Sequence, residues 1–174
     1  MTVNDIASKI RNIPDFPKPG ILFKDITPLL GDAEALAATN KLLSEPFDGQ
    51  NVDFVVGMES RGFLFGPAIA MHLNAGFVPV RKPGKLPYKT QSASYQLEYG
   101  TDSIEIHEDA IFKGARVVIH DDVVATGGTA LAATELVKRL GGVIVGYSFI
   151  IELTFLNSAP RLQANAPVHS LIKV

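Results

Sequence analysis

The run Val117-Val-Ile-His-Asp-Asp-Val-Val-Ala-Thr-Gly-Gly-Thr129 has the densest chemistry in the chain: an apolar strand delivers two adjacent carboxylates, and four residues later a Thr-Gly-Gly-Thr turn opens a helix. Glycine lets the backbone reach positive φ and come close to a ligand. The free N–H groups of a helix N-terminus attract an anion, and the Thr126 and Thr129 hydroxyls add donors. That turn suits a phosphate. The neighbouring acids, Asp121 and Asp122, repel the same phosphate, so they must face neutral hydroxyls or a cation. A sugar phosphorylated at one end satisfies both halves.

A second loop, Gly57-Met-Glu-Ser-Arg-Gly-Phe63, offers backbone N–H groups, the Ser60 hydroxyl and the Arg61 guanidinium to an anion. It is not a nucleophile elbow, because Met58 stands where that motif needs glycine and no His/Asp context supports a triad. From Ser60 to Leu97 there is no acid but there are five bases, Arg61, Arg81, Lys82, Lys85 and Lys89. From Glu98 to Asp122 the sign reverses, with seven acids against Lys113 and Arg116. The formal charge of −2 is thus the sum of opposed blocks. P-loop, dinucleotide and zinc-protease motifs are absent, and the histidines at 72, 107, 120 and 169 are scattered.

These residues need a frame. Asn4 to Arg11 reads as a short helix, and Asp15 to Gly20, with its prolines, as an extended arm leading into apolar Ile21 to Phe23. Asp32 can cap a helix from Ala33 to about Glu45. Asp53 to Gly57 is a buried strand, Ser60 can cap a helix over Gly62 to Asn74, and Phe77 to Arg81 is the next strand. Tyr95, Leu97, Tyr99, Ile104 and Ile106 alternate with polar residues, predicting an antiparallel hairpin over 95–107. Arg116 to His120 is a strand, Thr129 to Leu140 a helix and Val143 to Ile151 a strand. His120 is read as a structural strand-end side chain. This order predicts an α/β fold with a mostly parallel central sheet flanked by helices and active loops at the strand C-termini.

At 174 residues the chain has room for one domain. Hydrophobic residues make up 47 %, enough for a core, and the net charge shows no basic excess that would draw the whole surface to nucleic acid or membrane. Cysteine is absent, which excludes disulfides and thiolate nucleophiles and fits a reducing compartment. The start of the chain has no leader pattern, there is no Asn-x-Ser/Thr site, and apolar runs such as Gly141 to Ile151 fall short of the ~18 residues of a membrane span. A soluble cytoplasmic protein is expected.

The strand, acid pair and Thr-Gly-Gly-Thr loop resemble the signature of the type I phosphoribosyltransferases. The resemblance extends over Gly57 to Pro67, Arg81-Lys-Pro-Gly-Lys-Leu-Pro87, Ala93-Ser-Tyr-Gln-Leu-Glu-Tyr-Gly100 and Asp15-Phe-Pro-Lys-Pro-Gly-Ile-Leu-Phe-Lys-Asp-Ile-Thr-Pro28, and narrows to the adenine-specific branch. It spans roughly Ile10 to Thr154 and leaves only the last twenty residues poorly matched. It implies one domain, with a helix and base-binding hood over 1–32, a core over 33–174 and a flexible loop over about 82–106. It assigns Asp121 and Asp122 to the ribose hydroxyls of phosphoribosyl pyrophosphate and Ala125, Thr126, Gly127, Gly128 and Thr129 to its 5-phosphate. Ser60, Arg61, Lys82 and Lys85 would face pyrophosphate, with Arg81 reaching the site of a second subunit in a homodimer. In the hood, Leu22 and Lys24 would read the adenine edge through their backbones, Phe23 would stack on the ring and Leu153 would cover its other face.

The implied reaction is transfer of the phosphoribosyl group to N9 of adenine, a pentosyl transfer that gives AMP and pyrophosphate in purine salvage. Mg²⁺ would enter mainly on the substrate, and its direct protein ligands stay unassigned. Glu98 and Tyr99 match the acid and tyrosine of the catalytic loop, and Glu98 either handles the purine proton or orders the closed loop. Two alternatives remain. A hypoxanthine, guanine or xanthine enzyme would share Asp121 to Thr129 but lack the proline-rich hood. A regulator sensing phosphoribosyl pyrophosphate would need an added DNA-binding module.

Overall fold

An uninterrupted apolar run needs cover on both faces, and Val117, Val118 and Ile119 have it, each fully buried. Burial of such side chains contributes about 1.5–3 kcal/mol apiece. The computed structural model describes residues 1–97 and 99–174. The chain divides into two units, Met1–Leu42 and Leu43–Val174.

The first unit begins with helix α1 (Val3–Ser8), closed by a capping box in which Thr2 and Asp5 satisfy each other's backbone donors. Strands β1 (Arg11–Pro14) and β2 (Leu22–Asp25) pair antiparallel, Asn12 opposite Lys24. A short helix α2 (Thr27–Leu30) follows, and α3 (Ala33–Ser44) leads out of the unit. The Asp32 carboxylate accepts from Ala35 N at 3.0 Å, the cap expected from sequence, and also pairs with Lys9 at 2.8 Å.

The second unit is built on a five-stranded, wholly parallel sheet. Its members are β3 (Phe54–Met58), β4 (Gly76–Val80), β7 (Arg116–Val124), β8 (Val143–Glu152) and β9 (Val168–Lys173), in the order β4-β3-β7-β8-β9. Helix α4 (Gly62–His72) joins β3 to β4, and α5 (Gly128–Arg139) joins β7 to β8. A short helix α6 (Ala159–Gln163) precedes β9. The antiparallel hairpin β5 (Thr90–Gln96) and β6 (Thr101–His107) buries Ala93, Ile104 and Ile106 in the core. From β3 the chain crosses outward to β4, then returns to lay β7 on the other side of β3. That reversal opens a crevice beyond the C-terminal ends of β3 and β7, where open α/β sheets bind their ligands.

The mostly parallel sheet is as the sequence predicts, but several boundaries move. Arg11 is not helical: α1 stops at Ser8 and Arg11–Pro14 is a strand, because the arm folds back to pair with it. Ser60 does not cap α4 with its side chain; Arg61 stands at the cap position. Strand β7 runs on to Val124, since Val123 and Val124 still pair with Ile151 and Glu152, so His120, Asp121 and Asp122 lie inside the strand. His120 is therefore a buried mid-strand residue and not a strand-end one. The hairpin starts at Thr90, and Leu97 and Tyr99 lie exposed between its two strands rather than within them.

Candidate functional site

The loop after β3 and the end of β7 meet across the crevice. Arg61, at the start of α4, places its guanidinium Nε 2.9 Å from Asp122 Oδ2. Asp122 is almost completely buried, and its backbone N–H donates to Asp121 Oδ1 at 2.9 Å. Gly62 makes this approach feasible: a Cβ there would stand 3.1 Å from both Asp121 Oδ1 and His120 O. The Glu59–Ser60 peptide is cis. Ser60 is exposed, and its carbonyl accepts from Phe63 N at 3.1 Å.

Burial and the neighbouring Asp122 charge raise the Asp121 carboxyl well above the usual carboxylate range. Burial also raises Asp122, against the pull of Arg61. Two desolvated carboxylates of this kind gain from hydroxyl donors, which satisfy their oxygens without adding charge. His120 points away from such work. It is fully buried, its Nδ1 lies 2.9 Å from Ser148 O, and burial lowers its pKa to about 4, so the ring is neutral at ordinary pH.

Beyond the acids, the chain turns into α5. Gly127 occupies the cap position at φ +81°, the left-handed region that disfavours a Cβ, and its carbonyl accepts from Leu131 N at 2.9 Å. A Cβ on Gly127 would also come within 3.1 Å of the Ser158 Cβ. Thr126, Gly128 and Thr129 line a cavity of about 90 Å³ together with Asp121 and Ala125. The first-turn N–H groups of α5 have no helical carbonyl to bond, which makes this end an anion receptor. Leu153 lies alongside, its N–H donating to Val124 O at 3.0 Å.

The basic segment is tied to the same end of the sheet through Glu59, a residue the sequence reading passed over. Glu59 accepts from Lys82 N at 2.6 Å and lies 3.3 Å from Arg81 Nε. Arg81 also exchanges backbone hydrogen bonds with Glu105. Lys82 Nζ donates to Tyr95 Oη at 2.8 Å and to the Asp102 carboxylate. Lys82, Tyr95 and Asp102 share a cavity of about 1030 Å³ with Thr126, Gly128 and Thr129. Lys85 is exposed in the turn after Lys82. Tyr99 is 83 % exposed at the hairpin tip, and Glu98 lies outside the described residues. The pairings of Glu59, Tyr95 and Asp102 could not be read from the sequence, because their partners lie 23, 13 and 20 residues away.

In the first unit, Leu22, Phe23 and Lys24 follow one another on β2. Leu22 is about half exposed, the Phe23 ring meets Phe16 edge-on at 5.1 Å, and Lys24 Nζ donates to Asn12 Oδ1 at 2.8 Å. The Lys24 side chain is thus occupied by a neighbouring strand, which leaves the backbone role expected of it independent of its charge.

Comparison with known proteins agrees with this geometry. The model of the phosphoribosyl transferase domain matches residues 28–158. An adenine phosphoribosyltransferase of Koribacter versatilis is 56 % identical over 169 residues, covering 97 % of this chain and 92 % of its own. The crystal structure of adenine phosphoribosyltransferase from Rhodothermus marinus superposes with a TM-score of 0.94 at 57 % identity, over 99 % of this chain and 98 % of the other. That of the Saccharomyces cerevisiae enzyme, complexed with an imino-altritol bisphosphate and adenine, gives 0.91 at 43 % identity over 97 % of both chains. With the family's domain matched over residues 28–158 and relatives of this identity aligned over nearly the whole length, the chain belongs to the phosphoribosyltransferase family and, within it, to the adenine phosphoribosyltransferases.

Proposed function

We propose that this chain transfers the phosphoribosyl group of phosphoribosyl pyrophosphate to N9 of adenine, releasing AMP and pyrophosphate. One observation supports this most: Arg61 Nε lies 2.9 Å from Asp122, and the adjacent Asp121 lines one small cavity with residues 125–129, so a cation, an acid pair and the N-terminus of α5 adjoin. Asp121 and Asp122 would hold the ribose hydroxyls, and Ala125 to Thr129 the 5-phosphate. Ser60, Arg61, Lys82 and Lys85 would face pyrophosphate.

In the reaction the bond from ribose C1 to the pyrophosphate oxygen breaks, C1 bonds to adenine N9, and the N9 proton leaves. Positive charge develops on the ribose as in glycoside hydrolysis. The chain's task is to hold both reactants in line and to neutralise the departing anion, and alignment alone contributes about 7–11 kcal/mol in favourable cases. No covalent nucleophile is needed. Glu98 is assigned the purine proton or the ordering of the loop over 82–106, with Tyr99 beside it. Leu22 and Lys24 read the adenine edge, Phe23 stacks on the ring and Leu153 covers the opposite face.

Mg²⁺ favours oxygen ligands and is bound through one or two carboxylates plus substrate phosphates. Asp121, which lines the cavity of the anion loop, would supply a carboxylate of that kind. Bound there, the ion would supply charge neutralisation to the leaving pyrophosphate. The working form is assigned as a homodimer, with Arg81 serving the second site. Leu64 and Met71, both exposed and seven residues apart on α4, suit such a contact. Sedimentation at twice 18.7 kDa tests it. No described helix is long and apolar enough to cross a membrane, and salvage in the cytoplasm suits a chain without cysteine.

The test is incubation with phosphoribosyl pyrophosphate, Mg²⁺ and each nucleobase in turn. AMP from adenine, and little product from hypoxanthine, guanine or xanthine, is the expected result. Failure to make AMP overturns the proposal, and product from an oxopurine instead favours the hypoxanthine-guanine reading.

A further inference from the structure

Each cation assigned to pyrophosphate for which a side-chain partner is described rests on a carboxylate of its own chain. Arg61 lies on Asp122, Arg81 on Glu59, and Lys82 on Asp102. The first two acids belong to the loop and strand that build the crevice. Asp102 does not: it comes from β6 of the hairpin.

Its surroundings give it a role. An ammonium has three donors and no acceptor. Lys82 uses one on Tyr95 Oη and another on Asp102, while the Tyr95 hydroxyl itself donates to Asp102 at 3.1 Å. The ammonium also stands 5.4 Å from the centre of the Tyr95 ring. The same ring packs on the anion loop, its Cδ2 3.4 Å from where a Cβ on Gly128 would lie. The cluster therefore faces the cavity that Thr126, Gly128 and Thr129 also line. Lys82 holds the Asp102 carboxyl below the usual range by hydrogen bonding, so the acid is ionised at neutral pH. A fixed carboxylate in a cavity that must receive a polyanion is unfavourable unless its charge is cancelled, and Lys82 cancels it.

We propose that Asp102 is the resting counter-ion of Lys82, a positioning residue whose carboxylate holds the ammonium, with Tyr95, beside the anion loop until a phosphate of the substrate takes its place. The exchange replaces one charge-assisted hydrogen bond by another, so its cost is small. Both side chains are partly exposed, 40 % for Lys82 and 33 % for Asp102. Separating such a pair is worth about a two- to fivefold change in binding. This inference rests on the assignment of Lys82 to pyrophosphate.

The probe is inorganic pyrophosphate with Mg²⁺, titrated calorimetrically into the full chain. Asp102→Asn keeps the Oδ1 that accepts from Ser103 N at 2.8 Å, so the hairpin retains its local bond; Asp102→Ser serves as second variant if the first does not fold. Asp102→Asn should bind pyrophosphate about two- to fivefold more tightly than wild type. In a Lys82→Met background the same change should do nothing. Unchanged or weaker binding in Asp102→Asn overturns the proposal, as does tightening that persists without Lys82. A wild-type chain that makes no AMP would instead overturn the underlying assignment, which the activity assay reads separately.

Discussion

Gly127→Ala separates the backbone demand of the anion loop from ordinary turn strain. The residue sits at φ +81°, where a Cβ costs about 1–2 kcal/mol. Its Cβ would also be 3.1 Å from the Ser158 Cβ, so loop and α6 must part by a few tenths of an ångström. Gly114, at φ +85° with open space around it, supplies the control for conformation alone. At about 2–4 °C per kcal/mol for a chain of this size, Gly114→Ala should lower Tm by roughly 2–8 °C and leave kinetics unchanged. Gly127→Ala should lower Tm further. It should also raise KM for phosphoribosyl pyrophosphate roughly ten- to hundredfold, the value of one charge-assisted hydrogen bond to a displaced N–H. Thermal melts and initial rates at saturating adenine measure both. A Gly127→Ala chain that melts early yet keeps its KM would refute the assignment of this loop to the 5-phosphate.

Other outcomes follow from the same geometry. Asp121→Asn removes a carboxyl whose folded pKa is raised by burial and by Asp122; the native chain resists its ionisation, so the variant should be the more stable at pH 7 to 8, by roughly 2–4 °C per kcal/mol, while losing activity, and the stability gain should vanish in melts below the ordinary carboxyl value of 3.8. For His120 the sign is the reverse: with a folded pKa of about 4 against 6.5 unfolded, its stabilisation is complete above pH 6.5 and should fall by roughly 3 kcal/mol as pH drops toward 4, a loss that denaturant titrations should find absent in His120→Asn. Phe23→Ala should raise KM for adenine by about tenfold, the scale of base–aromatic stacking, with KM for phosphoribosyl pyrophosphate unmoved. Glu98→Gln should lower kcat roughly 10²-fold if the carboxylate is a general base, and an unchanged kcat removes that role.

The parts of the site that could be read from sequence are local. Asp121, Asp122, Gly127 and Gly128 fall within eight consecutive residues, and their strand, turn and helix are set by those residues themselves. Asp32 capping α3 was equally local. What escaped depends on the rest of the chain. Arg11–Pro14 becomes a strand because Leu22–Asp25 folds back against it, an event beyond any helical periodicity. Val168–Lys173 is an edge strand with mostly half-buried residues, so it shows neither the continuous apolar run of β7 nor a clean alternation. Glu59, Tyr95 and Asp102 act through partners that only the sheet and hairpin bring near. His120 looks like a polar strand end until the pairing of Val123 and Val124 extends β7 beyond it.

The most direct measurement is a crystal structure of the chain with Mg²⁺ and phosphoribosyl pyrophosphate. The expected result is the 5-phosphate within about 2.7–3.2 Å of the N–H groups of residues 126–129, with the ribose hydroxyls on Asp121 and Asp122 and the pyrophosphate against Arg61. A substrate whose phosphate lies away from the N-terminus of α5, or whose ribose leaves both carboxylates untouched, would contradict it.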